Sequence, residues 1–104
     1  QIGVIAFGST DPAIHEARHT LKNAGHKVDY LRLRALPFTE EVEQFIRSHQ
    51  RVYVVEMNRD GQLHQILTMQ YPDLATKLVS IAFVDGLPMT ARFVHESVMA
   101  EEVK

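Results

Sequence analysis

Ile2-Gly3-Val4-Ile5-Ala6-Phe7, running into Gly8-Ser9-Thr10-Asp11-Pro12, is the stretch on which the fold turns. Six residues without a charge form a short continuous apolar run, the pattern of a strand covered on both faces. The next five supply a turn, three oxygens able to cap a helix at Ser9, Thr10 and Asp11, and a proline suited to a first helical turn. Ile14, Ala17, Leu21 and Ala24 then recur at helical spacing, and Gly25 suits a helix end. The first 25 residues thus read as strand, turn, helix.

Outward from there the same unit repeats three times. Residues 28–34 alternate, with Asp29, Leu31 and Leu33 on one side and Val28, Tyr30, Arg32 and Arg34 on the other, as in a half-exposed strand near a sheet edge. Pro37 and Phe38 lead to Thr39, a cap for a helix turning Val42, Phe45 and Ile46 inward. Val52-Tyr53-Val54-Val55 is a second apolar strand, followed by the polar loop Glu56-Met57-Asn58-Arg59-Asp60-Gly61. Leu63, Ile66, Leu67 and Leu74 mark a third helix that must stop or bend near Pro72. Residues 78–84 form the last strand, Asp85-Gly86-Leu87-Pro88 a turn, and Ala91, Val94 and Val98 stripe a final helix.

Strands alternating with helices of this length predict an α/β fold: three α/β/α layers around a mainly parallel sheet of four to five strands. The apolar strands at Ile2 and Val52 belong in its centre and the Arg-bearing strand outside. Right-handed crossovers then give strand order 2-1-3-4. With no internal repeat or linker, residues 1–104 read as a single domain.

Composition removes several functions. Eleven Lys and Arg against 13 Asp and Glu give 11 − 13 = −2, without the basic excess that nucleic acid attracts. No apolar run approaches the ~18 residues that cross a membrane. The absence of cysteine excludes disulfides, thiolate catalysis, zinc ribbons and iron–sulfur clusters held by this chain. Gln1-Ile2-Gly3 is neither an initiator Met nor a signal peptide, and is expected to be a cut end within something longer.

In sheets wound this way, ligands and partners meet the carboxyl ends of the strands where the winding reverses. Between the first and third strands two polar loops converge, residues 8–11 and 56–62. The first ends in a helix N-terminus with free backbone donors, but Asp11 already places a carboxylate there, and neither GxGxxG nor GK[ST] is present. Plain capping accounts for Ser9, Thr10 and Asp11. The second is richer. A solvated turn explains Asp60-Gly61, but does not require Glu56 at the end of an apolar strand with Asn58 and Gln62 beside it. Ser9, Thr10, Glu56, Asn58, Asp60, Gly61 and Gln62 are therefore the candidate docking or binding residues, and none is assigned a catalytic or metal-binding role.

His15-Glu16-Ala17-Arg18-His19 matches the H-E-x-x-H of zinc proteases. Yet both histidines lie nearly opposite the Ile14–Ala17–Leu21–Ala24 stripe and so face solvent, where a metalloprotease helix would line a cleft. His26, His49, His64 and His95 carry no pattern, and no G-x-S-x-G elbow supports Ser9 as a nucleophile. Arg32 and Arg34 could meet an acidic partner, but read first as charges guarding a sheet edge.

Gly3-Val4-Ile5-Ala6-Phe7-Gly8-Ser9-Thr10, Ala13-Ile14, Glu16-Ala17, Leu21 and Gly25, then Leu31-Arg32-Leu33 with Leu36-Pro37-Phe38, resemble one domain of the 2-oxoacid:ferredoxin oxidoreductases. The strongest part is Val54-Val55-Glu56-Met57-Asn58-Arg59-Asp60-Gly61-Gln62-Leu63, followed by Asp85-Gly86-Leu87-Pro88. The resemblance points to the C-terminal part of an alpha subunit of the 2-oxoglutarate type, similar in fold to the C-terminal domain of transketolase. It implies a cytoplasmic enzyme that oxidatively decarboxylates a 2-oxoacid, makes an acyl-coenzyme A and reduces ferredoxin, using thiamine diphosphate, magnesium and iron–sulfur clusters. This chain lacks the Gly-Asp-Gly thiamine signature and any cysteine, so those cofactors are expected in other domains or subunits, its partners. What carries over is a supporting role, with Glu56, Asn58, Gly61 and Gln62 in the family-like loop. Two other readings share the fold: a flavodoxin-like module for a small anion, and the C-terminal domain of a pyruvate dehydrogenase or transketolase enzyme.

Overall fold

In a computed structural model, the described residues are 1–7, 10–34, 38–57, 61–82 and 89–103. The chain alternates strand and helix: β1 (Ile2–Phe7), α1 (Asp11–Asn23), β2 (Val28–Leu33), α2 (Glu40–Arg47), β3 (Arg51–Glu56), α3 (Gln62–Gln70), β4 (Leu78–Ala82) and α4 (Ala91–Glu102). The third helix ends before Pro72, as its missing N–H requires. Leu74 lies instead in a 3₁₀ helix, Pro72–Lys77. The expected extension of the last strand to Val84 falls outside the described residues.

All pairings are parallel and the order is β2-β1-β3-β4. β1 aligns Val4 with Tyr30 on one side and Tyr53 on the other, and Glu56 at the end of β3 stands opposite Ala82. β1 and the body of β3 are central, and both are free of charge, so they are covered on both faces at no desolvation cost to a charge.

Alternate residues of each strand feed two cores. Val4, Ala6, Tyr53, Val55 and Ile81 pack with Ile14, Ala17 and Leu21 of α1 and Val94 and Val98 of α4. Ile5, Leu33, Val52, Val54 and Leu78 pack with Val42, Ile46, Leu63, Leu67 and Leu74 on the opposite face. This is the three-layer, doubly wound arrangement the periodicities predict.

Gly3 is required on the second face. A Cβ there would lie 2.7 Å from the Phe45 ring and 3.3 Å from His49 Cγ. β1 therefore gives up a side chain to admit α2.

Candidate functional site

At the carboxyl edge of the sheet, the loop candidates separate by what their side chains already do. Glu56 ends β3 and is 7% exposed. Its Oε1 accepts the Leu63 backbone N–H at 2.8 Å and its Oε2 accepts that of His64 at 3.1 Å. These are first-turn amides of α3, which lack a partner within the helix. The residue at the N-cap position is Gly61, which has no side chain to offer, so a carboxylate from the preceding strand caps the helix instead.

Gly61 is fixed by the same arrangement. Its φ of 62° lies in the left-handed region, and a Cβ would meet Ser80 Oγ at 3.1 Å and Glu56 Oε2 at 3.8 Å. Gln62 opens α3 on the exposed side. Glu56, Gly61 and Gln62 thus come together as one unit, and its acid is committed to backbone amides. Asn58 and Asp60 lie outside the described residues.

In the first loop the structure corrects the capping assignment. Thr10 occupies the N-cap position of α1 and is buried, but its side chain makes no cap hydrogen bond. The hydroxyl donates backward to the Phe7 carbonyl at 2.9 Å, tying the helix start to the end of β1. Short hydroxyl side chains have this local alternative to capping. Asp11 lies inside the first turn, where Oδ1 accepts the Tyr30 hydroxyl at 2.8 Å, Oδ2 meets His15 Nε2 at 3.0 Å, and Arg32 stands 3.8 Å away. The Tyr30 hydroxyl, with His15 and Arg32, holds the Asp11 carboxyl below its ordinary range, while burial and Asp11 raise the Tyr30 phenol. Asp11 is a brace between α1 and the edge strand. Ser9 lies outside the described residues.

His15 and His19 are both exposed on α1, as their opposition to the apolar stripe predicts. Among the described residues no group of three His, Asp or Glu side chains could hold a metal ion, and no helix is long and apolar enough to cross a membrane.

Two polar clusters escaped the sequence reading. His49, 6% exposed, places Nε2 2.8 Å from Asp29 Oδ2 and Nδ1 2.6 Å from the Phe45 carbonyl, with its ring against Phe45. It fastens α2 to β2 across the space left by Gly3, and its hydrogen bond lowers the Asp29 pKa. At the amino edge, Arg51 grips Glu102 through Nε at 2.7 Å and Nη2 at 2.8 Å, and the buried Tyr53 hydroxyl donates to the same carboxylate. Arg51 and Tyr53 hold the Glu102 carboxyl low, and burial followed by Glu102 raises the Tyr53 phenol. The available signals were a lone glycine within an apolar strand and a tyrosine in a run otherwise free of polar atoms, whose hydroxyl demands a partner.

No protein-family model matches the chain, and no curated protein is significantly similar to it. A solved structure is. The 2-oxoglutarate:ferredoxin oxidoreductase from Magnetococcus marinus, solved with 2-oxoglutarate, coenzyme A and succinyl-CoA bound, aligns with 100% of this chain at a TM-score of 0.78 and 27% identity. The fold is that of a 2-oxoacid:ferredoxin oxidoreductase domain. The oxidoreductase-like domain spans 18% of the length of the chain it matches, leaving most of that enzyme outside the comparison.

Proposed function

We propose that the chain is a non-catalytic supporting domain of a 2-oxoacid:ferredoxin oxidoreductase, transketolase C-terminal-like and belonging to the alpha subunit. The whole enzyme converts a 2-oxoacid, 2-oxoglutarate in this reading, to its acyl-coenzyme A and passes the electrons to ferredoxin in the cytoplasm. The observation that carries the reading is the likeness of this whole chain to an 18% stretch of an enzyme chain of that kind.

The chemistry of the carboxyl edge supports a supporting role rather than a catalytic one. Glu56 and Asp11, the described acids of the two loops, are engaged by α3 amides and by Tyr30. Both carboxylates hold elements of the fold in place, Glu56 the start of α3 and Asp11 the edge strand β2. The residues do not fit the family's cofactors: a chain without cysteine offers no thiolate to an iron–sulfur cluster, and it lacks the Gly-Asp-Gly signature for thiamine diphosphate and magnesium. Those groups belong to other domains and subunits, against which the loops at residues 8–11 and 56–62 dock, bordering the substrate or coenzyme A entrance.

The test is to purify the native protein carrying this chain and measure 2-oxoacid- and coenzyme A-dependent reduction of ferredoxin. Turnover with 2-oxoglutarate is expected. A pure, folded protein inert toward all common 2-oxoacids would overturn the reading.

A further inference from the structure

Buried His49 is set between two groups that accept hydrogen bonds. Its Nδ1 lies 2.6 Å from the Phe45 carbonyl, which cannot donate. The Ser48 hydroxyl, 3.2 Å from Nδ1, has its proton engaged elsewhere, since it donates to that same carbonyl at 3.0 Å. On the other side of the ring, Nε2 lies 2.8 Å from Asp29 Oδ2. The Asp29 carboxyl is held below its ordinary range chiefly by this bond, with Lys27 and Arg18 adding to it, so it too only accepts. A neutral imidazole carries one N–H, and two acceptors require two.

We propose that the fold holds His49 as the doubly protonated imidazolium, which makes it a pH-sensitive clamp between α2 and β2. The clamp is independent of the oxidoreductase assignment, and every group in it belongs to this chain. Its charge is met on two sides. The Asp29 carboxylate pairs with it, and the Phe45 ring lies 4.4 Å away between centroids, close enough for attraction between a cation and an aromatic face. β1 presents Gly3 here, with no side chain. From the 3₁₀ helix, Lys77 Nζ is turned to the backbone, donating to the Arg47 and His49 carbonyls at 2.9 and 3.0 Å. Loss of either ring proton sets a lone pair against an acceptor, and the ring must withdraw from one of its two partners. Phe45 moves with it, because the two rings together fill the space that Gly3 leaves. The clamp is therefore complete on the acid side of the histidine range and weakens as pH rises through it. The other ties at this end of α2, from Arg47 to Asp73 and from Lys77 to the two carbonyls, contain no histidine side chain.

Hydrogen exchange in the intact protein tests the clamp, with the histidine-free strand β3 as internal reference. From about pH 5 to about pH 8, protection of residues 40–50, corrected for intrinsic rates, is expected to fall relative to residues 51–56 by about tenfold. His49→Gln keeps an N–H for Asp29 but cannot titrate, so its ratio should stay level over the same range. If that variant does not fold, neutron diffraction from crystals of the parent at both ends of the range reads the protons directly. Deuterium is expected on both ring nitrogens at the acid end and on one at the other. The proposal is overturned if the parent's ratio does not change, or if His49→Gln changes as much as the parent. A bare ring nitrogen at the acid end, or a proton on Asp29 in its place, would overturn it equally.

Discussion

Replacing Glu56 by alanine removes the acceptor of two backbone amides at once, at a site where only 7% of the residue is exposed. Hydrogen bonds to a charged group contribute about 1.5–3 kcal/mol each, and a lost cap about 0.5–2 kcal/mol. Removal of the buried carboxylate also relieves its desolvation, so a net loss of about 2–3 kcal/mol is expected. With an unfolding entropy of roughly 0.2 kcal/mol/K for a domain this size, that corresponds to roughly 10–15 °C in Tm. Glu56→Gln, which keeps one carbonyl oxygen but turns an NH2 toward the other amide, should lose about half as much. Thermal and urea unfolding give the magnitude. Hydrogen exchange gives the location, with the Leu63 and His64 amides losing protection ahead of β1 and β3. An alanine variant as stable as the parent, with unchanged exchange at those amides, would refute the capping assignment and return Glu56 to the list of free acids.

Gly61→Ala forces a side chain into φ 62° and toward Ser80 Oγ, and should cost about 1–2 kcal/mol by chemical denaturation; pairing it with Ser80→Gly should recover only the steric part. Gly3→Ala presses a methyl to 2.7 Å from the Phe45 ring, and a loss of about 1–3 kcal/mol is expected from overpacking, with the His49–Asp29 contact weakened in the same variant. Asp29 and Glu102 both have lowered pKa values in the fold, so their stabilisation is present above the unfolded carboxylate range of about 4 and is lost as pH falls through the lower folded values. Equilibrium unfolding between pH 5 and 2, on the order of that window, should show Arg51→Gln with a shallower acid limb than the parent, because Glu102 then starts from a less depressed value, held by Tyr53 without Arg51. Tyr53 and Tyr30 are shifted the opposite way. Their contribution is full below the unfolded tyrosine value of about 10 and falls as pH rises past it, so tyrosinate absorbance should appear together with unfolding rather than before it.

The element order and the strand order were legible because they rest on periodicity, which survives any change of partner. Uncharged β1 and the uncharged body of β3 had to be central, and the Asp29 and Arg32 alternation had to be an edge. Pro72 stopped α3 where its ring forbids a helix. Side-chain destinations were less legible, since they depend on distance in space. Glu56 stood out as an acid ending an apolar strand, but nothing local says that its partners are amides seven and eight residues later. Thr10 had the composition of a cap and bonded backward instead. His49 and Asp29 are 20 residues apart, and Tyr53 and Glu102 are 49 apart. Each pair exists because parallel crossovers return the chain to the same end of the sheet.

The proposed role of this chain is to support a 2-oxoacid:ferredoxin oxidoreductase without supplying its reacting groups. It is tested most directly by turnover of the intact enzyme carrying Glu56→Gln, compared with the parent below the melting temperature of both. A kcat for coenzyme A-dependent ferredoxin reduction within about threefold of the parent, alongside the lower Tm, is the result expected of a positioning residue; a threefold change is only about 0.7 kcal/mol of barrier. A loss of a hundredfold or more in kcat, with the fold and Tm intact, would contradict it and make Glu56 part of the chemistry.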